Sequence, residues 1–270
     1  MIIKESTALL LVTEGDDDHF VLSRHSTKDL QVIAGTGGRE HVLRAATIAR
    51  ERNLKGVKFL VDRDIDDFCG ANASADNVFV SDHHDVMMDL LLAGENVHYL
   101  VDIQLRRLTR RNEAAGSVPH AGNVVDAAFD LASHLAAARI VSRREAIHLD
   151  FQRFSFSALR SETFTVEAVA EVLVKRNQRE DVASSFTDSC VQVRNEIESS
   201  KRSVVGDHDL FKALSRVLGV HDVSVQDKAL VNGFMGAITC AVLSATSWFA
   251  AIERWCAANA RRGFNCGVTS

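Results

Sequence analysis

The amino-terminal hundred residues alternate between two hydrophobic periods, and this alternation constrains the fold more than any other feature of the chain. Short apolar runs at 8–13, 30–34, 57–62 and 77–81 have the length and composition of β-strands. Between the first three runs, "DHFVLSRHS" and "REHVLRAATIARER" place apolar residues at helical spacing. Strands that alternate with helices predict an α/β fold with a mostly parallel sheet, in which functional groups gather just past the carboxyl ends of the strands.

Acidic residues follow two of these predicted strands. The first run leads into "EGDDD", which contains Glu14 and Asp18, and the third leads into "DRDIDD", which contains Asp62, Asp64 and Asp66. A surface turn would account for one or two of the acids in the first stretch. Side chains alternate along a strand, so Asp62 and Asp64 point to the same side if the strand conformation persists, and Asp66 can join them.

Carboxylates placed together in this way repel each other unless a divalent cation neutralises them. An oxygen-only ligand set without Cys or His favours Mg²⁺ or Mn²⁺ over zinc. The sequence therefore predicts a metal site in which Glu14 is a metal ligand or a general acid/base and Asp62 and Asp64 hold the ion. Asp18 and Asp66 are candidates for further ligands or for a second metal.

Two segments that contain histidine are accessory candidates. "SDHHD" follows the fourth predicted strand, so that His84 and Asp85 would lie at the same edge of the sheet. The alternative is that an aspartate of this segment caps the next helix. "GDHD" places His208 and Asp209 at or just before another predicted helix, where an aspartate would again serve as a cap unless the loop returns to the metal site.

Basic residues are clustered although the net charge is −5. A negative balance does not suggest nonspecific coating of nucleic acid. "LRRLTRR" nevertheless spaces its arginines for one helix face, which is either a solvated surface or a stripe that contacts phosphates. "AGTGGREH" is a glycine-rich turn ahead of a helix, which either binds a phosphate through its backbone N–H groups or is simply a tight turn. The candidate nucleic-acid-binding residues are Arg106, Arg107, Arg110, Arg111 and Arg39.

The second half of the chain has a different character. "EAAGSVPHAGN" contains the single proline and two glycines and is typical of an exposed connection. Helical periodicity dominates after it. The predicted organisation is a catalytic α/β domain over 1–110, a connection over 111–123 and a helical domain over 124–270.

Two further patterns concern the cellular environment. Residues 229–252 contain no charged side chain and are long enough to cross a bilayer, but their Ala-rich composition and the amphipathic continuation favour a buried core helix. The five cysteines show no CxxC spacing, so that neither a zinc knuckle nor a disulfide framework is indicated. We therefore expect a protein of the reducing cytoplasm that has no membrane segment.

The acidic motifs resemble those of the TOPRIM domain, which topoisomerases, bacterial primases and nucleases of the OLD (overcoming lysogenization defect) type share. In that family a glutamate follows the first strand and a D-x-D follows the third. Glu14 falls on the glutamate, Asp18 on the acid of an E-G-x-x-D stretch, and Asp62 and Asp64 on the D-x-D. The resemblance implies a Rossmann-like catalytic domain that uses Mg²⁺.

The order of the motifs is similar to one branch of this family, the TOPRIM nucleases of bacterial anti-phage systems such as PARIS. This resemblance implies a toxic effector that cleaves DNA or RNA, with tRNA among the candidates, beside an ATPase partner and in a homo-oligomer. The chain departs from the pattern where Met87 and Met88 replace an expected glutamate, and Asp89 is the nearest acid. The alternatives are a catalytically weak interaction module with the same fold, and a Mg²⁺-dependent phosphohydrolase or nucleotidyl-transfer domain that acts on small molecules.

Overall fold

The structure is a computed structural model that describes residues 8–70, 75–109, 119–152, 154–159 and 164–266, without the side chains of 107–109. The described residues form two compact units. The first is drawn from Met1–Arg63, Asn72–Gly94 and Ala237–Ser270, and the second from Asp64–Ala71 and Glu95–Gly236.

The first unit contains a parallel four-stranded sheet with the order β2-β1-β3-β4. The predicted α/β class is therefore confirmed, and all four predicted strands occur within one or two residues of their expected ends. Their apolar runs are nearly continuous because strands of a parallel sheet are covered on both faces. The strands are β1 (Leu9–Thr13), β2 (Leu30–Ala34), β3 (Val57–Val61) and β4 (Val78–Val80).

Two amphipathic helices connect the first three strands. Helix α1 (Asp16–Ser23) follows β1, and α2 (Gly38–Glu51) joins β2 to β3. The α2 side chains Val42 and Ala46 pack with Val12 of β1 and with Phe59 of β3 in one buried cluster. Because the chain moves from β1 to one side of the sheet and then crosses to the other side, the strand order reverses between β1 and β3. Such a switch point leaves a crevice at the carboxyl ends of the two strands.

The carboxyl-terminal segment completes the first unit, which differs from the predicted boundary at 124–270. Ser26 and Phe264 form an antiparallel bridge, and the Asn265 N–H donates to the His25 carbonyl at 2.7 Å. Trp255 lies against Phe79 of β4, with ring centroids 6.3 Å apart. This return depends on contacts between residues far apart in the sequence, which local periodicity does not report.

The uncharged segment 229–252 is divided among three helices instead of forming one. These are α11 (Asp227–Ala237), α12 (Cys240–Ser244) and α13 (Ser247–Ala258). Thr239 and Thr246 take extended conformations between them, where they precede α12 and α13 as cap residues. No helix among the described residues combines the length and the apolar character needed to span a membrane.

The structure also joins Cys240 and Cys266 in a disulfide, contrary to the expectation that the chain has none. Their Cα atoms are 5.1 Å apart. The sequence spacing gave no indication of this pair, because the return of the carboxyl terminus to α12 is what brings the two residues together.

Helices dominate the second unit, as predicted for the region after the connection. The longest helix has 24 residues, and its small and apolar side chains are buried along most of its length. The unit contains α3 (Asp66–Cys69), α5 (Asn96–Thr109), α6 (Ala121–Arg144), α7 (Val166–Arg176), α8 (Ala183–Glu196), α9 (Lys201–Val204), α10 (Asp207–Val220) and all of α11 but its last residue. Helix α4 (Val86–Leu92) belongs to the first unit.

Candidate functional site

Glu14 and Asp62 lie together at the switch point of the sheet. Each is the first residue after its strand, and β1 and β3 are hydrogen-bonded neighbours. The Glu14 Oε2 atom accepts a hydrogen bond from the Asp62 N–H at 3.2 Å, and Asp62 Oδ1 accepts one from the Val86 N–H at 3.1 Å. Both carboxylates are therefore oriented by backbone groups at the carboxyl edge of the sheet.

Two more carboxylates approach this pair. Asp18 is in α1, and the buried Asp85 precedes the first residue of α4. Burial, followed by the negative charges of Asp85 and Glu14, raises the pKa of Asp18 to about 7. Burial, followed by the charges of Asp18, Asp85 and Glu14, also raises the pKa of Asp62 well above its usual range. Four acids thus form one electrostatically coupled cluster, in which each negative charge makes the next one costlier.

Arg39 brings a positive charge to the cluster. Its Nε donates to the Asp62 carbonyl oxygen at 2.9 Å and lies 3.9 Å from Glu14 Oε1. The residue precedes the rest of α2 by one position, so that the glycine-rich turn sets its place. The predicted contact of Arg39 with nucleic acid stays a prediction, and the structure adds that its side chain is beside the acids.

The glycine-rich turn has a structural explanation. A side chain at Gly35 would meet the Thr13 carbonyl oxygen at 2.8 Å, and Gly37 has a φ of 83°. Both positions therefore require glycine for reasons of packing and backbone conformation. The tight turn that the sequence analysis left open is present, and phosphate binding there stays a prediction.

Asp64 and Asp66 occupy a different environment. The strand ends at Val61, and Asp64 has a φ of 55°, so the extended conformation needed for the period-two argument does not continue. Both residues belong to the second unit, where their carboxylates form ion pairs with Arg143 of α6 at 3.3 Å each. Their predicted role as metal ligands stays a prediction. Sequence reasoning had placed Arg143 only among general basic clusters.

The segment after β4 is a helix start, as one of the two predictions for it proposed. Asp85 Oδ1 accepts a hydrogen bond from the Met88 N–H at 2.6 Å and caps α4, while its Oδ2 is 3.1 Å from His84 Nδ1. Capping does not exclude a role in the acidic cluster, because Asp85 raises the pKa of both Asp18 and Asp62.

The departure at Met87 and Met88 also has a structural account. Both side chains are buried in the core of the first unit. Asp89 is 3% exposed, and its oxygens accept hydrogen bonds from the Asp82 and His83 N–H groups and from Trp248 Nε1, at 2.7–2.8 Å. Asp89 therefore holds the loop before α4 and the start of α13 in place.

The distal histidine segment lies in the second unit. His208 and Asp209 are in the first turn of α10, which agrees with the predicted helix start. The Asp209 carboxylate pairs with Arg139 at 3.0 Å, and the His208 side chain is largely exposed. The alternative that this loop serves the metal site stays a prediction.

The predicted arginine stripe is described only in part. Arg106 is exposed on α5 of the second unit and pairs with Asp102 at 3.3 Å, a surface contact of small energetic value. The side chain of Arg107 and all of Arg110 and Arg111 lie outside the described residues.

No protein-family model matches this chain, and no curated protein matches it. The chemistry of the site must therefore be judged from its own geometry. Four carboxylates at the switch point supply only oxygen ligands, which suits a hard divalent cation such as Mg²⁺ or Mn²⁺.

Proposed function

We propose that this chain is a Mg²⁺- or Mn²⁺-dependent nuclease of the TOPRIM type, which cleaves phosphodiester bonds in DNA or RNA. The observation that carries the proposal is the pairing of Glu14 and Asp62 at the point where the strand order reverses. A switch point is where open parallel sheets bind their ligands. The motif resemblance, which places the same two residues on the acids of the TOPRIM pattern, supports the same activity.

The electrostatics of the cluster support a bound cation. A fold that held these acids only for structure would keep Asp18 and Asp62 at a cost, since burial and mutual repulsion raise the pKa of both carboxyls. A divalent cation at the cluster would remove that cost by neutralising the repulsion. Glu14, Asp18 and Asp62 would hold it, and Asp85 would contribute charge while it caps α4.

A bound divalent cation supplies two functions in phosphodiester cleavage, a more nucleophilic water and neutralisation of charge on the leaving oxygen. The chain's own residues contribute orientation. The Asp62 N–H fixes the Glu14 carboxylate, and the Val86 N–H fixes the Asp62 carboxylate, so that neither has to be ordered when substrate binds. Arg39, next to both, is placed to attract the phosphate of the substrate.

The decisive experiment is a cleavage assay with the full chain on duplex DNA, single-stranded DNA and RNA that includes tRNA, in Mg²⁺, Mn²⁺ or EDTA. We expect cleavage of at least one of these polymers that EDTA abolishes, and a loss of at least about 100-fold in Glu14→Gln. Asp17→Asn is the matched control because Asp17 is an exposed acid of the same helix. Absence of cleavage on all polymers in both metals, or full activity in Glu14→Gln, would contradict the proposal.

The cellular role rests on the motif resemblance. We propose that the protein acts in the cytoplasm as a toxic effector of anti-phage defence, as a homo-oligomer restrained by an ATPase partner. Expression of the chain with and without its neighbouring genes tests this. Toxicity that is relieved by a neighbouring ATPase gene is expected, and equal toxicity in both cases would exclude the restraint.

A further inference from the structure

Three residues of the first unit that play no part in the acidic cluster come together elsewhere. His25 follows α1, Cys240 is the first residue of α12, and Cys266 lies near the carboxyl terminus. One potential ligand atom from each lies within 4.8 Å of the others, and the His25 Nδ1 atom is 3.6 Å from Cys240 Sγ. The two cysteines are joined as a disulfide in the structure. A disulfide that served only to link the chain would not require an imidazole nitrogen directed at one of its sulfurs.

The separation of nitrogen and sulfur has the value expected for two ligands of one zinc ion. With Zn–S of about 2.3 Å, Zn–N of about 2.0–2.1 Å and tetrahedral angles, a nitrogen and a sulfur ligand are about 3.6 Å apart. His25 Nδ1 and Cys240 Sγ are at that distance already. Two sulfur ligands of one zinc ion are about 3.8 Å apart, so that breaking the disulfide and rotating the side chains would complete three ligand positions.

The backbone around the cluster is held by hydrogen bonds that do not involve the ligand atoms. The Asn265 N–H donates to the His25 carbonyl at 2.7 Å, the Asn265 side chain donates to the Ser26 carbonyl at 2.9 Å, and the Thr27 N–H donates to the Gly263 carbonyl at 2.8 Å. These bonds hold the segment before Cys266 against the segment that carries His25. The ligands can therefore stay close after the disulfide is reduced.

We propose that His25, Cys240 and Cys266 form a redox-gated zinc site, in which the reduced cysteines and the imidazole bind Zn²⁺ and the disulfide is the metal-free state. Two thiolates and an imidazole favour zinc over Mg²⁺, as the oxygen ligands of the acidic cluster favour the reverse. Three protein ligands leave a fourth position for water. The inference does not depend on the proposed nuclease activity, because the two sets share no residue.

The interconversion balances as follows from thiol chemistry. A dithiol reductant attacks the Cys240–Cys266 disulfide, passes through a mixed disulfide and leaves as its own disulfide, while the two protein sulfurs gain two electrons and two protons. Zn²⁺ then displaces both thiol protons to solvent, and His25 binds as the neutral imidazole. Oxidation of the pair reverses both steps and releases the ion.

The test is zinc and cobalt binding by the full chain, reduced with a phosphine and freed of metal with a chelator, in excess Mg²⁺. We expect one Zn²⁺ per reduced chain, a thiolate-to-metal charge-transfer band with Co²⁺, and much weaker uptake by the oxidised chain. His25→Asn, Cys240→Ser and Cys266→Ser should each lower the zinc affinity by at least about tenfold.

Matched controls separate this site from other residues. Cys69→Ser removes a partly exposed free thiol, His19→Asn removes a histidine of the neighbouring helix, and Glu14→Gln changes the acidic cluster; all three should keep zinc affinity. No uptake by the reduced chain, equal uptake when oxidised, or equal loss in a control would overturn the proposal. If circular dichroism shows that a ligand variant is unfolded, the cobalt spectrum of the unmodified chain decides, and a spectrum without the charge-transfer band overturns it.

Discussion

Replacing Asp18 by Asn should stabilise the metal-free protein, and the gain should depend on pH. The pKa of this carboxyl rises from 3.8 to about 7 in the folded protein because of burial and then because of the charges of Asp85 and Glu14. Between these two pKa values the folded state holds a proton that the unfolded state has lost. The free energy of unfolding of the unmodified chain therefore falls as the pH rises through this window.

The size of the effect follows from the shift. Each pKa unit corresponds to about 1.36 kcal/mol, so a shift of about three units costs the folded state at most about 4 kcal/mol above pH 7. Asn has nearly the shape of a protonated Asp and carries no charge. Asp18→Asn should thus match the unmodified chain near pH 4 and exceed it near pH 8.

Thermal melting in EDTA at about pH 4 and about pH 8 measures this, and the difference between variant and unmodified chain cancels other titrating groups. We expect the variant to melt several degrees higher near pH 8. Asp17→Asn should show no pH-dependent difference beyond about 0.5 kcal/mol, since Asp17 is exposed on the same helix. An Asp18→Asn variant that is no more stable near pH 8 than near pH 4, relative to the unmodified chain, would refute the electrostatic account of the cluster.

Four other outcomes are expected. Glu14→Ala should abolish metal-dependent cleavage in the polymer assay while its melting temperature holds or rises, because one repelling charge is removed; a stable variant with unchanged turnover would exclude Glu14 from the site. Mg²⁺ should raise the melting temperature of the unmodified chain, by the equivalent of about 2.7 kcal/mol at 100 times its Kd, and raise that of Glu14→Ala less. Asp89→Ala should destabilise the chain by about 3 kcal/mol or more in urea unfolding, because Trp248 Nε1 and two loop N–H groups lose their acceptor, whereas an effect below about 1 kcal/mol would show that water replaces it. Removal of the arginine stripe should lower the slope of log affinity against log salt by just under one per lost phosphate contact on duplex DNA, and an unchanged slope with loss of assembly in sizing chromatography would instead assign a partner surface; the stripe is Arg106, Arg107, Arg110 and Arg111.

The first unit shows how far the sequence alone leads. The run from Leu9 to Thr13 is a strand because its apolar residues are consecutive and short, and Glu14 must follow it at the carboxyl edge. The same reasoning places Asp62 after β3. Parallel strands present their carboxyl ends at one edge, so the two acids were predictable as neighbours without knowledge of any contact.

The sequence could not determine features that depend on where a chain returns. Asp85 approaches Asp18 only because β4 and α1 are brought to one edge, and the pairing of Asp64 with Arg143 joins residues 79 positions apart. The extended conformation ends at Val61, which no alternation of residues after it announces.

The carboxyl-terminal third gives the clearest contrast. The sequence determined that residues 229–252 are apolar and helical, because composition and period are local properties. Only the tertiary structure decided that the segment breaks at Thr239 and Thr246 and that Cys266 returns to Cys240 and His25. The physical reason is that burial against the sheet unit and long-range pairing, with 215 residues between His25 and Cys240, outweigh the weak local preference for one continuous helix.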